Sequence, residues 1–441
     1  MIARRSESNL PPGPRVPKTM QTIGWWARPT AYLERCRERY GKRFTIRMLA
    51  QDPFVLISDP DEIKQVFTAP ADVLYPGEGA RILEPIVGPN SILLLDEKAH
   101  MGQKRLVLPA FHGERMQRLE SVITEVTREQ IASWPRDQVE PMHPRMQALT
   151  MEVILAAVFG LRSGPRLDAL RLALTEMLEF GLSPLSLLPP AQRAPWGLGP
   201  WAGFVRARAR ADELIYAEIR ERRDRQDDGG SEIITSLLAA EHEDGSPMSD
   251  EEIHDELLTL LVAGHETTAT ELAWALERLT REPEVLARLV AEIDEGDGEP
   301  YLTAVIRETL RRRPVLTQAQ PRTVKKPIEV GGITYRQRVH LVASAWLVHH
   351  DPDIYPDPYA FRPERFLDSE PGTYTWIPFG GGRRRCIGAN FAMLEMAIVL
   401  RELLRETRIR AGHAGPEFTI RRAITVTPGH GAETVLTDRA A

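Results

Sequence analysis

The sequence predicts a mainly α-helical protein that carries small β-sheets and forms a single domain. Helical periodicity dominates residues 96–225 and 249–312, whereas the strand-like segments are short and lie outside those stretches. No change in composition is sharp enough to divide the 441 residues into two domains, and no internal repeat is visible. We therefore expect one domain over residues 1–441, in which residues 1–17 form a proline-rich lead-in.

The longest predicted element is a helix over residues 249–281. Ser249 is a suitable N-cap, and Glu252, three residues later, completes a capping box. A helix of about 30 residues is long for a globular protein, so we expect it to be central. The other predicted elements are a helix at residues 29–40, two strands within 43–58, a proline-rich loop at 184–200, a turn at 226–230, a helix at 299–312, short strands up to 345, a connector at 351–378, a helix at 388–405 and terminal strands.

Composition excludes several classes of protein. A net charge of −6 gives no reason to expect nucleic acid as a partner. Two cysteines can neither form a disulfide framework nor supply the four thiolates of an iron–sulfur cluster. The first residues lack the apolar core of a signal peptide, and no stretch approaches the roughly 20 apolar residues of a membrane helix. We therefore expect a monomer in the cytoplasm that has no membrane span.

One of the two cysteines, Cys386, lies in the unusual stretch FGGGRRRCIG at residues 379–388. Three glycines allow the backbone to approach a flat object closely. The three arginines at residues 383–385 and the start of a helix should both favour a thiolate. A thiolate held in this way can be a nucleophile that uses a nearby histidine base, or a metal ligand. The alternative is an inert core cysteine. For Cys36, on an early helix, we favour a partly buried or surface thiol.

The positions Phe379, Gly382, Arg384, Cys386 and Gly388 fit the pattern F-x-x-G-x-R-x-C-x-G. This pattern resembles the haem-binding loop of the cytochrome P450 family. The resemblance implies that the cysteine thiolate is the axial ligand of a haem b iron. It also implies that the arginine pairs with a haem propionate, that the phenylalanine packs beside the sulfur and that the glycines leave backbone amides free to donate to it. The haem would lie between the long central helix and the helix after the cysteine loop.

Two further motifs occur in the order that the family has. Glu308 and Arg311, in ETLR, lie three residues apart and so on one helix face. Alone they would pass for a surface ion pair, but PERF follows at residues 363–366. The resemblance implies that Arg365 of PERF joins them in a buried network, which is structural rather than catalytic.

The long helix carries AGHETT at residues 263–268. Zinc binding through an HExxH motif is excluded because Ala269 occupies the fifth position. A solvated polar patch is the alternative, but the apolar run before it favours burial, and buried polar groups need hydrogen-bond partners. The resemblance implies that Glu266 and Thr267 form an acid–alcohol pair over the distal face of the haem and deliver the protons that the reaction consumes. Gly264 resembles the position at which this helix loosens.

Haem propionates need cations. His100 and Lys104 occupy positions at which the family often has an aromatic or histidine residue and then an arginine. The lysine keeps the charge but loses the bidentate guanidinium, which puts this contact in doubt. Arg322 matches another common propionate ligand. Solvated surface cations are the alternative for all three.

The resemblance covers almost the whole chain and implies a monooxygenase that inserts one atom of dioxygen into an apolar small molecule. Segments at residues 110–116 and 212–219 resemble a bacterial branch that oxidises fatty acids and sesquiterpenes, so fatty acid or terpenoid hydroxylation is the expectation. Apolar residues at suggested pocket positions fit such a ligand. These pocket candidates are Leu261, Val262, Ala263, Val315 and Thr317.

Electrons would come from NAD(P)H through a separate ferredoxin and ferredoxin reductase, or a flavodoxin-type donor, because no flavin or iron–sulfur module is visible. Arg383, Arg385, Lys104 and Arg105 would face an acidic donor, or simply be solvated. Three rivals stay open: a peroxygenase or isomerase on the same fold, a non-enzymatic haem-thiolate ligand carrier, and a cysteine hydrolase. The acid–alcohol pair argues against the first two, and ETLR and PERF argue against the third.

Overall fold

A computed structural model describes residues 10–111, 114–181, 200–225, 232–296 and 299–439. Most of the predicted proline-rich loop (residues 184–199) and the predicted turn at 226–230 lie outside these ranges. The helices are α1 (Lys18–Ala27), α2 (Pro29–Tyr40), α3 (Pro60–Thr68), α4 (Pro76–Gly79), α5 (Glu84–Val87), α6 (Glu97–Val107), α7 (Glu114–Ser133), α8 (Met142–Phe159), α9 (Pro165–Gly181), α10 (Pro200–Arg225), α11 (Ile233–Leu238), α12 (Asp250–Leu279), α13 (Pro283–Glu295), α14 (Pro300–Arg312), α15 (Ala345–His349) and α16 (Ala389–Glu406).

The strands are short and form four small sheets. They are β1 (Arg43–Ile46), β2 (Phe54–Ile57), β3 (Leu74–Tyr75), β4 (Val139–Pro141), β5 (Arg322–Val324), β6 (Ile328–Val330), β7 (Ile333–Tyr335), β8 (His340–Ala343), β9 (Thr407–Ala411), β10 (Thr419–Arg422), β11 (Thr425–Pro428) and β12 (Glu433–Asp438). The largest sheet has the order β1-β2-β8-β5-β3, and the others are β4-β12-β9 and the hairpins β6-β7 and β10-β11. The fold is therefore mainly α with small β-sheets, as predicted.

Helix α12 is the central element. The predicted capping box is present, since the Ser249 hydroxyl accepts from the Glu252 amide and the Glu252 carboxylate accepts from the Ser249 amide. Most residues of the helix, apolar and polar, are buried, and its most extensive packing is against α8. It also contacts α14 and α16. A helix buried over most of its surface can present side chains to several neighbours at once.

The sequence analysis missed several helices in the N-terminal and central parts of the chain. Helix α3 carries a clear start signal, because the Asp59 side chain accepts from the amides of residues 61 and 62 and Pro60 occupies the first turn. Helices α1 and α13 were also missed. Within the described residues, no helix combines the length and apolar character that crossing a bilayer requires.

Candidate functional site

The cysteine loop packs tightly against α3. Gly381 and Gly382 lie against Phe67, and a Cβ atom on Gly382 would stand 2.2 Å from the Phe67 carbonyl oxygen. Gly382 also has a φ of +65°, which favours glycine. After a 3-10 turn at Gly382–Arg384, the Cys386 amide donates to the Phe379 carbonyl at 3.0 Å. The glycines therefore allow this backbone to pack against α3, and the cysteine lies just before the start of α16.

The Cys386 thiol is enclosed by protein but keeps accessible surface. Burial raises its pKa, which the Gly388 backbone amide and the Arg385 charge lower in part. The residue nevertheless keeps solvent-accessible surface. The prediction that this environment favours the thiolate is therefore wrong for the protein without a bound group. Desolvation raises the pKa of the thiol by more than the arginine charge lowers it. Arg384 points elsewhere, so Arg385 is the arginine that acts on the sulfur.

Cationic side chains gather beside this loop. His100 and Arg322 are only 5% and 7% exposed. Burial, followed by the charges of Arg384, Lys104 and Arg322, lowers the pKa of His100 to about 3. Burial and the nearby Arg384 and Arg383 charges lower the pKa of Arg322 to about 10. The sequence-predicted propionate ligands are thus neighbours. His100 is neutral at pH 7, and the repulsion among Lys104, Arg322 and Arg384 marks a site of excess positive charge.

Asp96 supplies negative charge that partly balances these cations. Arg384 forms an ion pair with Asp96 at 2.9 Å and donates to the carbonyls of Ile92, at 3.0 Å, and Leu95. Lys104 donates to the Arg383 carbonyl at 2.7 Å, which ties α6 to the cysteine loop. The Arg322 guanidinium donates to the Gly381 carbonyl at 3.1 Å.

Glu266 and Thr267 face different surroundings on α12. Thr267 is half-buried, and its hydroxyl donates to the Ala263 carbonyl at 2.6 Å. Glu266 is buried, and its carboxylate accepts from the Gln147 side chain of α8 at 2.6 Å and lies 3.5 Å from the Arg422 guanidinium. Burial raises the pKa of Glu266, which Arg422 and Gln147 lower in part.

Two more buried polar residues that contact α12 escaped the sequence analysis. His143 Nε2 lies 3.7 Å from Glu266 Oε1 and 3.1 Å from the Thr270 hydroxyl, and burial lowers the pKa of His143 to about 3. Glu395 of α16 is wholly buried and accepts from Thr268, while desolvation raises its pKa well above the usual range. Polar residues inside otherwise apolar helical stretches were the available signal for both.

Helix α12 runs through Gly264 without a break, so the loosening implied by the resemblance is absent from this structure. A Cβ atom on Gly264 would lie 3.1 Å from Ile154 Cδ1 of α8. Close approach of the two helices therefore explains the glycine. Ala263, one residue earlier, is exposed although most of the helix is buried.

Glu308 and Arg311 form a bidentate ion pair with distances of 2.6 and 2.8 Å, and both side chains are fully buried. Arg365 Nε lies 3.5 Å from Glu308 Oε1, so the three residues meet. Arg311 also donates to the carbonyls of His349 and Pro358, each at 2.8 Å. The network joins α14 to the long connector before the cysteine loop.

His349 extends this network to the cysteine loop. Its Nδ1 lies 3.1 Å from the Arg311 carbonyl, and its Nε2 accepts from the Ile377 amide at 2.8 Å. Burial and the Arg311 charge lower the pKa of His349 to about 3. A neutral ring with its proton on Nδ1 satisfies both contacts. His350 has a structural hydrogen bond as well, since its Nδ1 lies 2.8 Å from the Trp346 carbonyl oxygen.

The suggested pocket residues are not equally placed. Ala263 and Val262 keep accessible surface on α12. Leu261 is 1% exposed and belongs to the main apolar core, and Thr317 is 0% exposed. Val315 is 7% exposed, and its amide donates to the buried Glu271 carboxylate at 2.7 Å. The structure thus does not place Leu261 or Thr317 at the open surface, because both face packed neighbours.

On the outer side of the loop, Arg383 and Arg385 are exposed. Arg105 is exposed as well, but its guanidinium pairs with Glu243. Lys104 is partly buried and directed to the loop backbone. Of the four cations suggested to face a partner, Arg105 and Lys104 are therefore engaged within the protein. Among the described residues, Arg383 and Arg385 show no such side-chain contact and are exposed.

Comparison with known proteins identifies the class. The family model described as cytochrome P450 matches residues 10–430. The chain is 39% identical to a Mycobacterium tuberculosis protein provisionally named cytochrome P450 135B1, over 97% of this chain and 91% of that protein. A second protein of the same organism, provisionally named cytochrome P450 138, is 38% identical over 98% and 97% of the two chains.

A solved structure shows the same fold. The retinoic-acid-bound cyanobacterial CYP120A1 superposes with a TM-score of 0.83 at 21% identity, covering 98% of this chain and 100% of the other. The chain belongs to the cytochrome P450 family. It is accordingly an oxidoreductase of the monooxygenase class, and haem-thiolate is the cofactor of that class.

The residues of this chain fit a haem. The buried cations around Arg322 and Arg384 exceed the acidic charge of Asp96, so an anion such as a propionate would complete them. A thiol with accessible surface lies on the adjoining loop. The donor set is therefore one soft ligand for iron and several cations for carboxylates.

Proposed function

We propose that this protein is a haem b monooxygenase that hydroxylates an apolar small molecule, with Cys386 as the axial iron ligand. The observation that carries the proposal is the accessible thiol beside a buried excess of positive charge. When bound, the haem supplies the activation of dioxygen.

The cysteine loop positions the ligand. The Gly388 amide donates to the sulfur and Arg385 lies near it, so both stabilise negative charge on the thiolate. Coordination to a metal deprotonates a thiol outright, which overcomes the desolvation that raises its pKa in the free protein. Phe379 packs edge-on against Trp376, with ring centroids 6.0 Å apart, and thereby steadies the loop.

His100, Lys104, Arg322 and Arg384 would hold the propionates. Each cation is close to another, so a propionate would relieve their repulsion as well as form charge-assisted hydrogen bonds. His100 has a pKa of about 3 beside these charges, so it would act as a neutral hydrogen-bond donor.

Glu266 and Thr267 would hold and transfer the protons that the reaction consumes. The Thr267 hydroxyl gives its hydrogen to the Ala263 carbonyl, so its oxygen is left to accept from a water molecule on the open side of α12. Glu266, whose pKa burial raises, can hold a proton and release it. Arg422, 32% exposed in its side chain, connects the acid to the surface.

The substrate class is a fatty acid or a terpenoid, which the sequence of residues 110–116 and 212–219 favours. Ala263 and Val262 would contact it through apolar surface, since neither carries a fixed charge.

Electrons would come from NAD(P)H through a ferredoxin and its reductase, or a flavodoxin-type donor. Arg383 and Arg385 are exposed where an acidic donor would dock. The cytoplasmic location and the monomeric state stay predictions from the sequence.

Optical titration of the purified ferric protein tests the proposal. Fatty acids, terpenoids including retinoic acid, steroids and macrolides are added, because displacement of water from iron shifts the haem absorption. Saturable shifts with fatty acids or terpenoids, followed by hydroxylated product in the presence of ferredoxin, reductase and NAD(P)H, are expected. Shifts confined to polycyclic ligands would refute the substrate class.

Two further results would refute the mechanism. Product formation that needs hydrogen peroxide but no redox partner would indicate a peroxygenase. Ligand binding without product in any system would indicate a carrier. A Cys386→Ser variant should lose the spectrum of a thiolate-ligated ferrous carbonyl complex, and its retention would exclude Cys386 as the ligand.

A further inference from the structure

A cluster of histidine and glutamate side chains lies at the base of the hairpin β10-β11. His413, Glu417 and His430 each offer one ligand atom, and these atoms all lie within 4.8 Å of one another. His430 Nδ1 is 3.1 Å from Glu417 Oε1, and the two imidazole rings meet with centroids 4.7 Å apart. The site is separate from the cysteine loop and from the residues around Glu266.

The cluster contains groups whose bonding is incomplete. The Glu417 side chain is fully buried, yet its Oε2 has no hydrogen-bond partner within the described parts of the chain. His413 Nδ1 is also buried without one, at 3.4 Å from the Glu433 carboxylate. A buried carboxylate oxygen that lacks a partner is costly, and a cation at this position would satisfy it.

We propose that His413, Glu417 and His430 bind one divalent transition-metal ion, with Zn²⁺ as the best match. Two imidazoles and a carboxylate are donors that zinc prefers, whereas Mg²⁺ and Ca²⁺ prefer oxygen alone. Zinc ligands at about 2.0–2.1 Å in a tetrahedron stand roughly 3.3 Å apart. His430 Nδ1 and Glu417 Oε1 are 3.1 Å apart, which is close to that edge. His413 Nδ1 lies 3.4 Å from the carboxylate of Glu433, the candidate fourth ligand. Water or Glu433 completes the fourth position.

Nearby cations do not neutralise all of the negative charge at the proposed metal site. Arg281 donates to His413 Nε2 at 3.2 Å and is also paired with Glu277 at 2.8 Å. For Nδ1 to ligate the ion, the ring would carry its proton on Nε2 and Arg281 would turn to Glu277 alone. Arg313 interacts with Glu417 by charge but also with Glu277. Two carboxylates, Glu417 and Glu433, therefore remain to balance the ion.

The position of the cluster indicates what the ion would do. Glu417 precedes β10 and His430 follows β11, so one ion would tie together both ends of the hairpin. The hairpin is docked at the site region, since the Val426 carbonyl accepts from Trp274 at 3.0 Å and its amide donates to Val315 at 2.9 Å. Zinc would stabilise this hairpin and with it the placement of Arg422 beside Glu266.

The test is calorimetric titration of Zn²⁺ into tag-free, chelator-treated holoprotein, with Mg²⁺ as the comparison ion. We expect one zinc per chain, no response to Mg²⁺ and a higher unfolding temperature with zinc. His430→Gln and Glu417→Gln should each weaken binding by more than the roughly 10–100-fold that loss of an outer-sphere partner costs. His242→Gln, which alters a partly exposed histidine elsewhere, should bind as the parent does.

Absence of zinc binding to correctly folded, haem-loaded protein would overturn the proposal. Equal affinity in the parent and in His430→Gln would overturn it too, since that zinc would occupy another surface. The side chain of His430 is 47% exposed, so this variant should fold even if Glu417→Gln does not. The readout is metal binding rather than turnover, so the outcome is independent of the proposed substrate.

Discussion

Glu266 and Thr267 are adjacent in the chain but are held by different elements. The hydroxyl is bonded within α12, whereas the carboxylate reaches α8 and Arg422. Adjacent residues on a helix point about 100° apart, so one can face an open surface while the other faces a buried polar cluster. The proposed proton relay would use this difference, since it would connect the buried carboxylate with the open side of the helix.

Removal of the hydroxyl tests the relay. In Thr267→Ala the water acceptor on the open side of α12 is lost, so we expect the yield of product per NAD(P)H consumed to fall and turnover to drop by about 10²-fold. Product and hydrogen peroxide are measured together against NAD(P)H oxidation. The matched control is Thr268→Ala, whose hydroxyl bonds to Glu395. Equal yields in both variants would contradict the role of Thr267.

Lys104 provides a second test at this scale. If it contacts a propionate, Lys104→Gln loses a charge-assisted hydrogen bond of about 1.5–3 kcal/mol, and haem should dissociate about 10- to 150-fold faster. Transfer of haem to an excess of an acceptor apoprotein measures the rate. Arg105→Gln, one residue on and paired with Glu243, is the control. Equal rates in the two variants would place Lys104 outside the haem site.

At the scale of elements, α14 and the connector before the cysteine loop are joined by a buried charge network. Glu308 and Arg311 lie one turn apart on α14, and the arginine reaches three backbone carbonyls of later residues. A fully buried ion pair is expensive to desolvate, so its geometry must be well satisfied to be tolerated. The network thus determines where the connector, and the loop after it, can lie.

Breaking this pair should destabilise the protein strongly. Glu308→Gln leaves the Arg311 guanidinium buried without its carboxylate, so we expect a loss of about 3–5 kcal/mol in the free energy of unfolding. Denaturant unfolding of the holoprotein measures it. Arg307 and Glu370 form an ion pair whose acid is 82% exposed, and Glu370→Gln should cost less than about 1 kcal/mol. Similar losses in the two variants would show that burial does not decide the effect.

At the scale of the whole molecule, several buried histidines are kept neutral by desolvation. The pKa is lowered to about 3 in His100, His143 and His349, and to about 4 in His265. The unfolded chain binds these protons near the ordinary histidine pKa of 6.5, so below that pH the unfolded state takes up more protons than the folded state. The histidine contribution to stability is therefore complete above pH 6.5 and is lost as the pH falls toward 3.

His349→Gln isolates one of these protons. The amide can still accept from Ile377 and donate to the Arg311 carbonyl, but it cannot titrate. We expect the variant to be less stable at neutral pH, with a free energy of unfolding that falls less steeply by about 1.4 kcal/mol per pH unit between roughly pH 6 and 4. Unfolding curves across this range measure the slope. Parallel curves for parent and variant would mean that folded His349 takes up a proton in this range.

Local patterns in the sequence predict a large part of the secondary structure. The capping box of α12 involves residues three apart, and β1 and β2 are joined by a short connection, so both are decided by neighbouring residues. The cysteine loop, ETLR and PERF were also readable, because each motif is compact. Helices α1, α3 and α13 were missed although α3 has a clear Asp59 cap.

The tertiary structure alone decided how distant residues meet. By itself the sequence determined the mainly α-helical class, the family and the candidates Cys386, Glu266 and Thr267. It did not show that His143, Gln147 and Arg422 surround Glu266, or that His413, Glu417 and His430 converge. It also misjudged the Cys386 thiol, since the charges of nearby arginines are visible in sequence but the desolvation that outweighs them is not. Burial and proximity arise from packing between elements far apart in the chain, and no local pattern records them.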